Sequence, residues 1–438
     1  VPLARYFAEL AWLDGGPVRD VLLTVDSGRF ARVDVGAPAG SDAVRLSGLT
    51  LPGLANAHSH AFHRALRGRA QGGRGTFWTW RERMYALADR LDPDSYHALA
   101  RAVYAEMALA GITCVGEFHY LHHNRDGTPY ADPNAMGAAL IAAAAEAGVR
   151  ITLLDTCYLT STVDGAPLTG VQRRFGDGDA DGWALRVAGL TAAGHARIGT
   201  AVHSVRAVPL DQIPSVPGCI PDAPLHVHLS EQRAENAACL AHYGRTPTEV
   251  LADAGVLGPG TTVVHATHLT DLDRTELGDS DTAVCFCPTT ERDLADGIGP
   301  ARALVDAGSR LCLGTDSHAV VDLFEEARAV ELHERLRTER RGHFPATDLV
   351  AAATETGHAV LGWPDAGRIA VGYRADLVTV RLNTVRTAGI DPSQLVFAAT
   401  AADVSDVVVD GRPVVRDGVH CVLSDVASSL RGAIEALA

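Results

Sequence analysis

The chain has 438 residues, 47% of them hydrophobic and 21% charged, the make-up of a water-soluble globular protein with room for one large domain and a smaller one. Its formal charge of -15 makes nucleic acid and anionic membranes poor partners, and no apolar run approaches the ~18 residues of a membrane span. All 38 basic residues are arginine, which excludes a Schiff-base lysine, a P-loop lysine and a carbamylated lysine bridging two metal ions.

The stretch Val1-Pro2-Leu3-Ala4-Arg5 lacks the basic and apolar regions of a secretory signal, so a cytoplasmic location is expected. The eight cysteines are scattered, several inside apolar runs as buried free thiols are, with Cys285-Phe286-Cys287 taking alternate positions on a buried strand. Residues 1–50 hold short alternating segments, 21–25 and 29–33, broken by Gly and Asp, and predict a small β element. From residue 51 strand signals alternate with alanine-rich helical ones. Strands are expected at 51–57, 112–118, 149–157, 197–203, 224–229, 261–266, 282–287 and 310–315. Between them lie helical stretches such as 94–110, capped near Asp92 with Pro93 in the first turn. Eight β/α repeats predict an α/β fold of the (β/α)8 TIM-barrel type over 51–364, with its chemistry at the C-terminal strand ends; a doubly wound open sheet is the competing pattern. Past Trp363-Pro364 short strands return, and residues 365–438 are expected to join 1–50 in a composite β-sandwich.

The polar residues fall on the expected strand ends. Leu51–Ala57 runs into His58-Ser59-His60, and on a strand His-x-His puts both imidazoles on one face. His203 ends the fourth strand, His226 and His228 lie on the fifth with Glu231 three residues on, His265 ends the sixth, and Asp316 follows the eighth. A lone histidine is commonly structural; this series converges on one barrel mouth. His58, His60, His228 and Asp316 form a three-imidazole, one-carboxylate set suited to one Zn2+, or Fe2+, with a position left for water. The metal would bring that water's pKa towards ~7. Asp316 would take its proton, His265 would polarise the nucleophile, and Glu231 would carry a proton to a leaving nitrogen. His226 ranks behind His228 as a ligand because it lacks the His-x-x-Glu relationship.

The order His-x-His, His, His, Asp resembles the mononuclear branch of the amidohydrolase superfamily. More specific blocks are His58–Leu66, Phe77-Trp78-Thr79-Trp80-Arg81-Glu82-Arg83-Met84-Tyr85, Glu117-Phe118-His119-Tyr120-Leu121-His122-His123, His228–Gln232, Val264–His268 and Gly314–His318. These resemble the formimidoylglutamate deiminases of that superfamily over nearly the whole chain. The resemblance implies hydrolysis of N-formimino-L-glutamate to N-formyl-L-glutamate and ammonia by attack of metal-bound hydroxide on the formimino carbon. It makes His58, His60, His228 and Asp316 the zinc ligands, Glu231 and His265 the acid/base and hydrogen-bonding pair, and Arg81, Tyr120, His203 and Arg206 the substrate-holding set. A homodimer acting on a small dicarboxylate amidine is expected. His63 stands where the resemblance leads one to expect glutamine; the histidine can still donate a hydrogen bond to a substrate carboxylate, but its charge depends on pH. Arginine's fork suits carboxylates, and a chain at -15 needs local positive charge to hold two of them.

Two other functions fit parts of the pattern: a deaminase of a cyclic amidine such as guanine or cytosine, and a non-catalytic scaffold of the same fold. The first would not need paired arginines; the second should lack a ligand or the acid. Trp78 and Trp80 read as packing residues. His122 and His123, adjacent on a strand, should point apart rather than hold a second metal. The run 335–341 reads as a solvated helix end, and 72–75 as a flexible loop able to close over substrate.

Overall fold

The computed structural model describes residues 3–72 and 75–438, so Gly73 and Arg74 of the expected loop lie outside the described residues. The N-terminal strands are β1 (Ala4–Leu13), β2 (Gly16–Asp26), β3 (Arg29–Val35) and β4 (Val44–Pro52). Eight strands follow: β5 (Leu54–Ser59), β6 (Ile112–His119), β7 (Arg150–Cys157), β8 (Ala196–Val202), β9 (Leu225–Leu229), β10 (Thr261–His265), β11 (Ala283–Phe286) and β12 (Leu311–Leu313). The C-terminal strands are β13 (Leu377–Val380), β14 (Val404–Val409), β15 (Arg412–Arg416) and β16 (Val419–His420).

β5 to β12 form a parallel sheet in sequence order, and a parallel bridge between Ser59 and Asp316 joins its first and last members. His60 N–H donates to the Asp316 carbonyl at 3.2 Å and Thr315 N–H to that of His58 at 3.1 Å, so the barrel closes where the first and last candidate ligands meet. Gly314 permits this approach, since a Cβ there would stand 2.8 Å from His58 Cβ and 2.9 Å from Cys287 Sγ. The strands are almost wholly buried because helices cover one face and packed side chains fill the other. The helix Pro93–Leu109 begins as its sequence dictates: Asp92 accepts from Ser95 N–H, Ser95 reaches back, and Pro93 needs no amide partner.

Both chain ends build one sheet, in the order β16-β15-β14-β13-β4-β1-β2-β3, with β13 pairing antiparallel to β4. The expected sandwich is this single sheet curled on itself: Arg29 bridges Arg374, and Phe30 N–H donates to the Tyr373 carbonyl at 2.9 Å. Leu23, Phe30, Leu46 and Leu377 fill the inside of the curl. Leu51 and Pro52 pair with Val378 and Leu377, so they finish β4, and the barrel's first strand starts at Leu54 rather than Leu51. Gly53 makes the crossing, where a Cβ would come 2.4 Å from Thr113 Oγ1.

At the start of β7 the fully buried Arg150 joins barrel to end sheet, bonding Asp376 through both terminal nitrogens and reaching Asp410 at 3.1 Å. Among the described residues no helix is long and apolar enough to cross a membrane.

Candidate active site

Strand ends bring His58, His60, His228 and Asp316 together, each with a ligand atom within 4.8 Å of the others. His60 Nδ1–H donates to the Phe118 carbonyl at 2.9 Å, and His228 Nδ1–H to that of His203 at 2.9 Å. Those bonds fix both tautomers and leave the Nε2 lone pairs facing inward. His60 Nε2 lies 3.3 Å and His58 Nε2 3.5 Å from Asp316 Oδ1, while the Nε2 atoms of His58 and His228 are 3.1 Å apart. Two nitrogens sharing a tetrahedral ion at bond lengths of about 2.0–2.1 Å stand roughly 3.3 Å apart, so the spacing fits a shared ion. Burial, reinforced by neighbouring histidines, holds all three rings well below the usual histidine range, in the neutral form that binds metal. A carboxylate facing imidazole lone pairs repels them unless a cation lies between; the donor set fits a divalent ion.

Beside this cluster stand Glu231 and His265. Burial pushes the Glu231 carboxyl up to about 7. Burial opposes charge on His265 as well, but Glu231, Glu291 and Asp316 outweigh it and push the imidazole up to about 10. His265 Nε2 is 3.9 Å from both Glu231 Oε1 and Asp316 Oδ2, with Nδ1 3.5 Å from Glu291 Oε1. Five residues here carry left-handed backbone, Ser230 (φ 51°), His265 (φ 71°), Ala266 (φ 47°), Asp316 (φ 38°) and His318 (φ 57°); such strain concentrates where side chains are held for function.

A cavity of about 640 Å3 opens from the cluster and is lined by His63, Arg81, Tyr120, His203 and Arg206, every residue expected to hold substrate. His63 Nε2 meets the Tyr120 hydroxyl at 3.0 Å. Burial keeps its imidazole well below the usual range, so the pH-dependent charge expected for His63 is replaced by a neutral ring near pH 7. Trp80 packs edge-on to His63 at 5.0 Å, and Arg81 lies over Trp78 at 4.4 Å, so the tryptophans build the cavity wall.

His226 stays outside the cluster, its Nε2–H spent on the Val360 carbonyl at 3.1 Å. His122 and His123 lie past the end of β6 rather than on a strand, their ring centres 6.0 Å apart; His122 donates to the Thr156 carbonyl and His123 pairs with Asp177 at 2.9 Å. His119, His122 and Asp155 do cluster, but the Asp155 carboxylate is filled by Arg186 (2.8 and 3.0 Å) and Trp183 (2.9 Å), and the guanidinium already supplies its cation. In the 335–341 run, Arg335 and Arg337 pair with Glu331 and Glu334 along the last turns of the helix Leu323–Thr338.

Four contributors were not singled out from the sequence. Glu117 was visible only as part of a motif block. Glu291, beside His265, follows Cys287-Pro288-Thr289-Thr290 with no spacing signal. Tyr158 lines the cavity just past β7, and Gln172, on the short helical segment Gly170–Arg174, bonds the Tyr158 hydroxyl behind it. Of the four only Glu117 carries a usable hint, an acidic residue within an apolar run.

An eight-stranded parallel barrel whose mouth gathers imidazoles and a carboxylate, with an acid alongside, defines a class of metal-dependent hydrolases. The comparisons agree. The amidohydrolase family matches residues 49–414. The formimidoylglutamate deiminase of Pseudomonas aeruginosa is 38% identical, covering 95% of this chain and 96% of that protein. A 5-methylthioadenosine/S-adenosylhomocysteine deaminase of Halobacterium salinarum is 31% identical over 91% of this chain and 88% of its own. The crystal structure of an amidohydrolase from Brucella melitensis superposes with a TM-score of 0.93 at 33% identity, covering 99% of both chains. The chain belongs to the amidohydrolase family.

Proposed function

We propose that this amidohydrolase converts N-formimino-L-glutamate and water to N-formyl-L-glutamate and ammonia. One observation carries the substrate: Arg81 and Arg206 share one cavity with the His/Asp cluster, in a chain 38% identical to the Pseudomonas aeruginosa deiminase. Two fixed guanidinium forks suit a dicarboxylate and have no use with a neutral, flat nucleobase.

His58, His60, His228 and Asp316 would hold a divalent ion, for which we propose zinc on the strength of the donor set, with iron(II) the alternative. When bound, the ion supplies a Lewis acid that makes water more acidic. Asp316, with Oδ2 turned towards His265, is placed to take the proton of the attacking water. The water oxygen bonds to the formimino carbon, and the carbon–nitrogen bond to the departing nitrogen breaks. Glu231, near half-protonated at neutral pH, passes protons to that nitrogen so that it leaves as ammonia. His265, 3.9 Å from both Glu231 and Asp316, faces the charge that develops as the nucleophile adds. Arg81 and Arg206 hold the two carboxylates, and His63, Tyr120 and His203 line the path between them and the reacting carbon.

Ammonia release from N-formimino-L-glutamate, set against a panel of purines and pyrimidines, tests this reading. Turnover of a nucleobase alone would assign the site to the cyclic-amidine deaminases; no turnover of any substrate by the zinc-loaded protein would return it to the scaffold reading.

A further inference from the structure

Arg81 and Arg206 reach the cavity from distant parts of the chain, and their separation has to be set by something. Arg81 sits on the helix Phe77–Ala88, its guanidinium 5.4 Å from the centre of the Tyr85 ring one turn further on. Arg206 follows β8, and its Nη1–H donates to the Tyr158 hydroxyl at 3.1 Å. Gln172, only 7% exposed, bridges the two phenols, its carboxamide nitrogen 3.3 Å from the Tyr85 hydroxyl and 3.2 Å from that of Tyr158, beside a direct bond between the two hydroxyls. One side chain therefore joins the partner of the first arginine to the partner of the second.

The helix needs this tie. Of its twelve residues only Met84, Leu87 and Ala88 are fully buried, all towards its C-terminal end, so the first turns are held by fewer contacts, Trp80 on His63 among them. The short segment Gly170–Arg174 holds it twice. Arg174 donates to the carbonyls of Ala88 and, at 2.7 Å, Leu91 just beyond the helix end, and Gln172 takes Tyr85 one turn earlier. Arg174 fixes where the helix ends; Gln172 fixes how far the face bearing Arg81 stands from Arg206.

We propose that Gln172 is a positioning residue that sets the Arg81–Arg206 spacing and so selects dicarboxylate substrates by chain length. This rests on the dicarboxylate reading above. One methylene moves a carboxylate by about 1 Å, and a misplacement of that size can change a rate by roughly a hundredfold. A fixed spacing therefore separates a five-carbon from a four-carbon dicarboxylate, whereas a loose one does not.

The test compares N-formimino-L-glutamate with N-formimino-L-aspartate on the metal-loaded enzyme and on Gln172→Met, which keeps length and loses both hydrogen bonds. Two neutral hydrogen bonds support a fall of about tenfold in kcat/KM for the glutamate compound. The aspartate compound should change less than about twofold, so the selectivity ratio shrinks at least about fivefold. A parallel fall on both, with metal content retained, makes Gln172 merely structural and overturns the proposal, as do unchanged kinetics. If Gln172→Met does not fold, Tyr85→Phe removes the Gln172–Tyr85 bond together with the Tyr85–Tyr158 bond and must shift the ratio the same way. If the wild-type enzyme hydrolyses neither compound, the proposed activity fails by itself. Calorimetric binding of glutarate against succinate then reads the spacing directly, and a ratio unaltered by Gln172→Met overturns the proposal.

Discussion

Glu117 offers a test of how the floor of the site is built. Its side chain is fully buried on β6, where Oε1 accepts from Ala61 N–H at 2.6 Å and Oε2 from the Ser59 hydroxyl at 2.8 Å. Burial pushes its carboxyl up to about 8 against the pull of those hydrogen bonds, so at neutral pH the folded protein carries a proton there. An unfolded glutamate titrates near ~4.3. Between these values the native state binds one proton more than the unfolded state, so this group's contribution to stability is full below ~4.3 and is lost as pH rises towards 8. The slope approaches about 1.4 kcal/mol per pH unit. Glu117→Gln has no proton to lose. The stability difference, variant minus wild type, should therefore rise with pH by about 2–3 kcal/mol from about pH 5.5 to 7.5. Urea unfolding of the metal-loaded proteins at three pH values measures it, since metal and histidine titrations common to both cancel. A difference independent of pH would mean that Glu117 is ionised in the native state and would refute the reasoning.

Three further outcomes follow from the same geometry. Glu231→Gln should keep its metal and lose at least about a hundredfold in kcat, the scale of general acid–base catalysis; near-normal turnover would remove Glu231 from the chemistry. Asp316→Asn should lose metal affinity together with activity, read by metal analysis after dialysis against a chelator, and full retention of the ion would take Asp316 out of the ligand set. Arg150→Leu leaves the buried Asp376 carboxylate unpaired and should cost roughly 3–5 kcal/mol in urea unfolding, with much of the loss restored by adding Asp376→Leu. A single variant as stable as wild type would show that the pair does not hold barrel and end sheet together.

Much of the site was legible because a parallel barrel puts strand ends in one place, so a polar residue ending an apolar run is marked twice, by type and by position. His58, His60, His228, His265 and Asp316 all carry that mark, and seven of the expected strands lie within two residues of the observed ones at each end. The eighth misses for a physical reason. Leu51-Pro52-Gly53-Leu54 is apolar throughout, and only the partner strand shows that the first two residues pair with β13 in the other sheet. Side chains acting through a third residue left no trace in spacing. Gln172 joins Tyr85 and Tyr158 from the segment Gly170–Arg174, and Glu291 meets His265 from the short helix Pro288–Asp293; neither lies in any periodic pattern. His63 was visible as a departure, but its neutrality comes from burial, which no local sequence reports.

The pairing of β4 with β13 also orders events in time. Leu51 and Val378 are partners across a stretch containing the entire barrel, so the free edge of β4 waits unpaired while those residues are synthesised. Such distant pairings form slowly, and an open strand edge is a template for other chains. A nascent or truncated chain that ends before residue 377 exposes that edge, with buried-type residues Leu49 and Leu51 along it. The C-terminal strands thus act as a seal added last, and their loss should show as aggregation during synthesis before it shows as any defect in the barrel's chemistry.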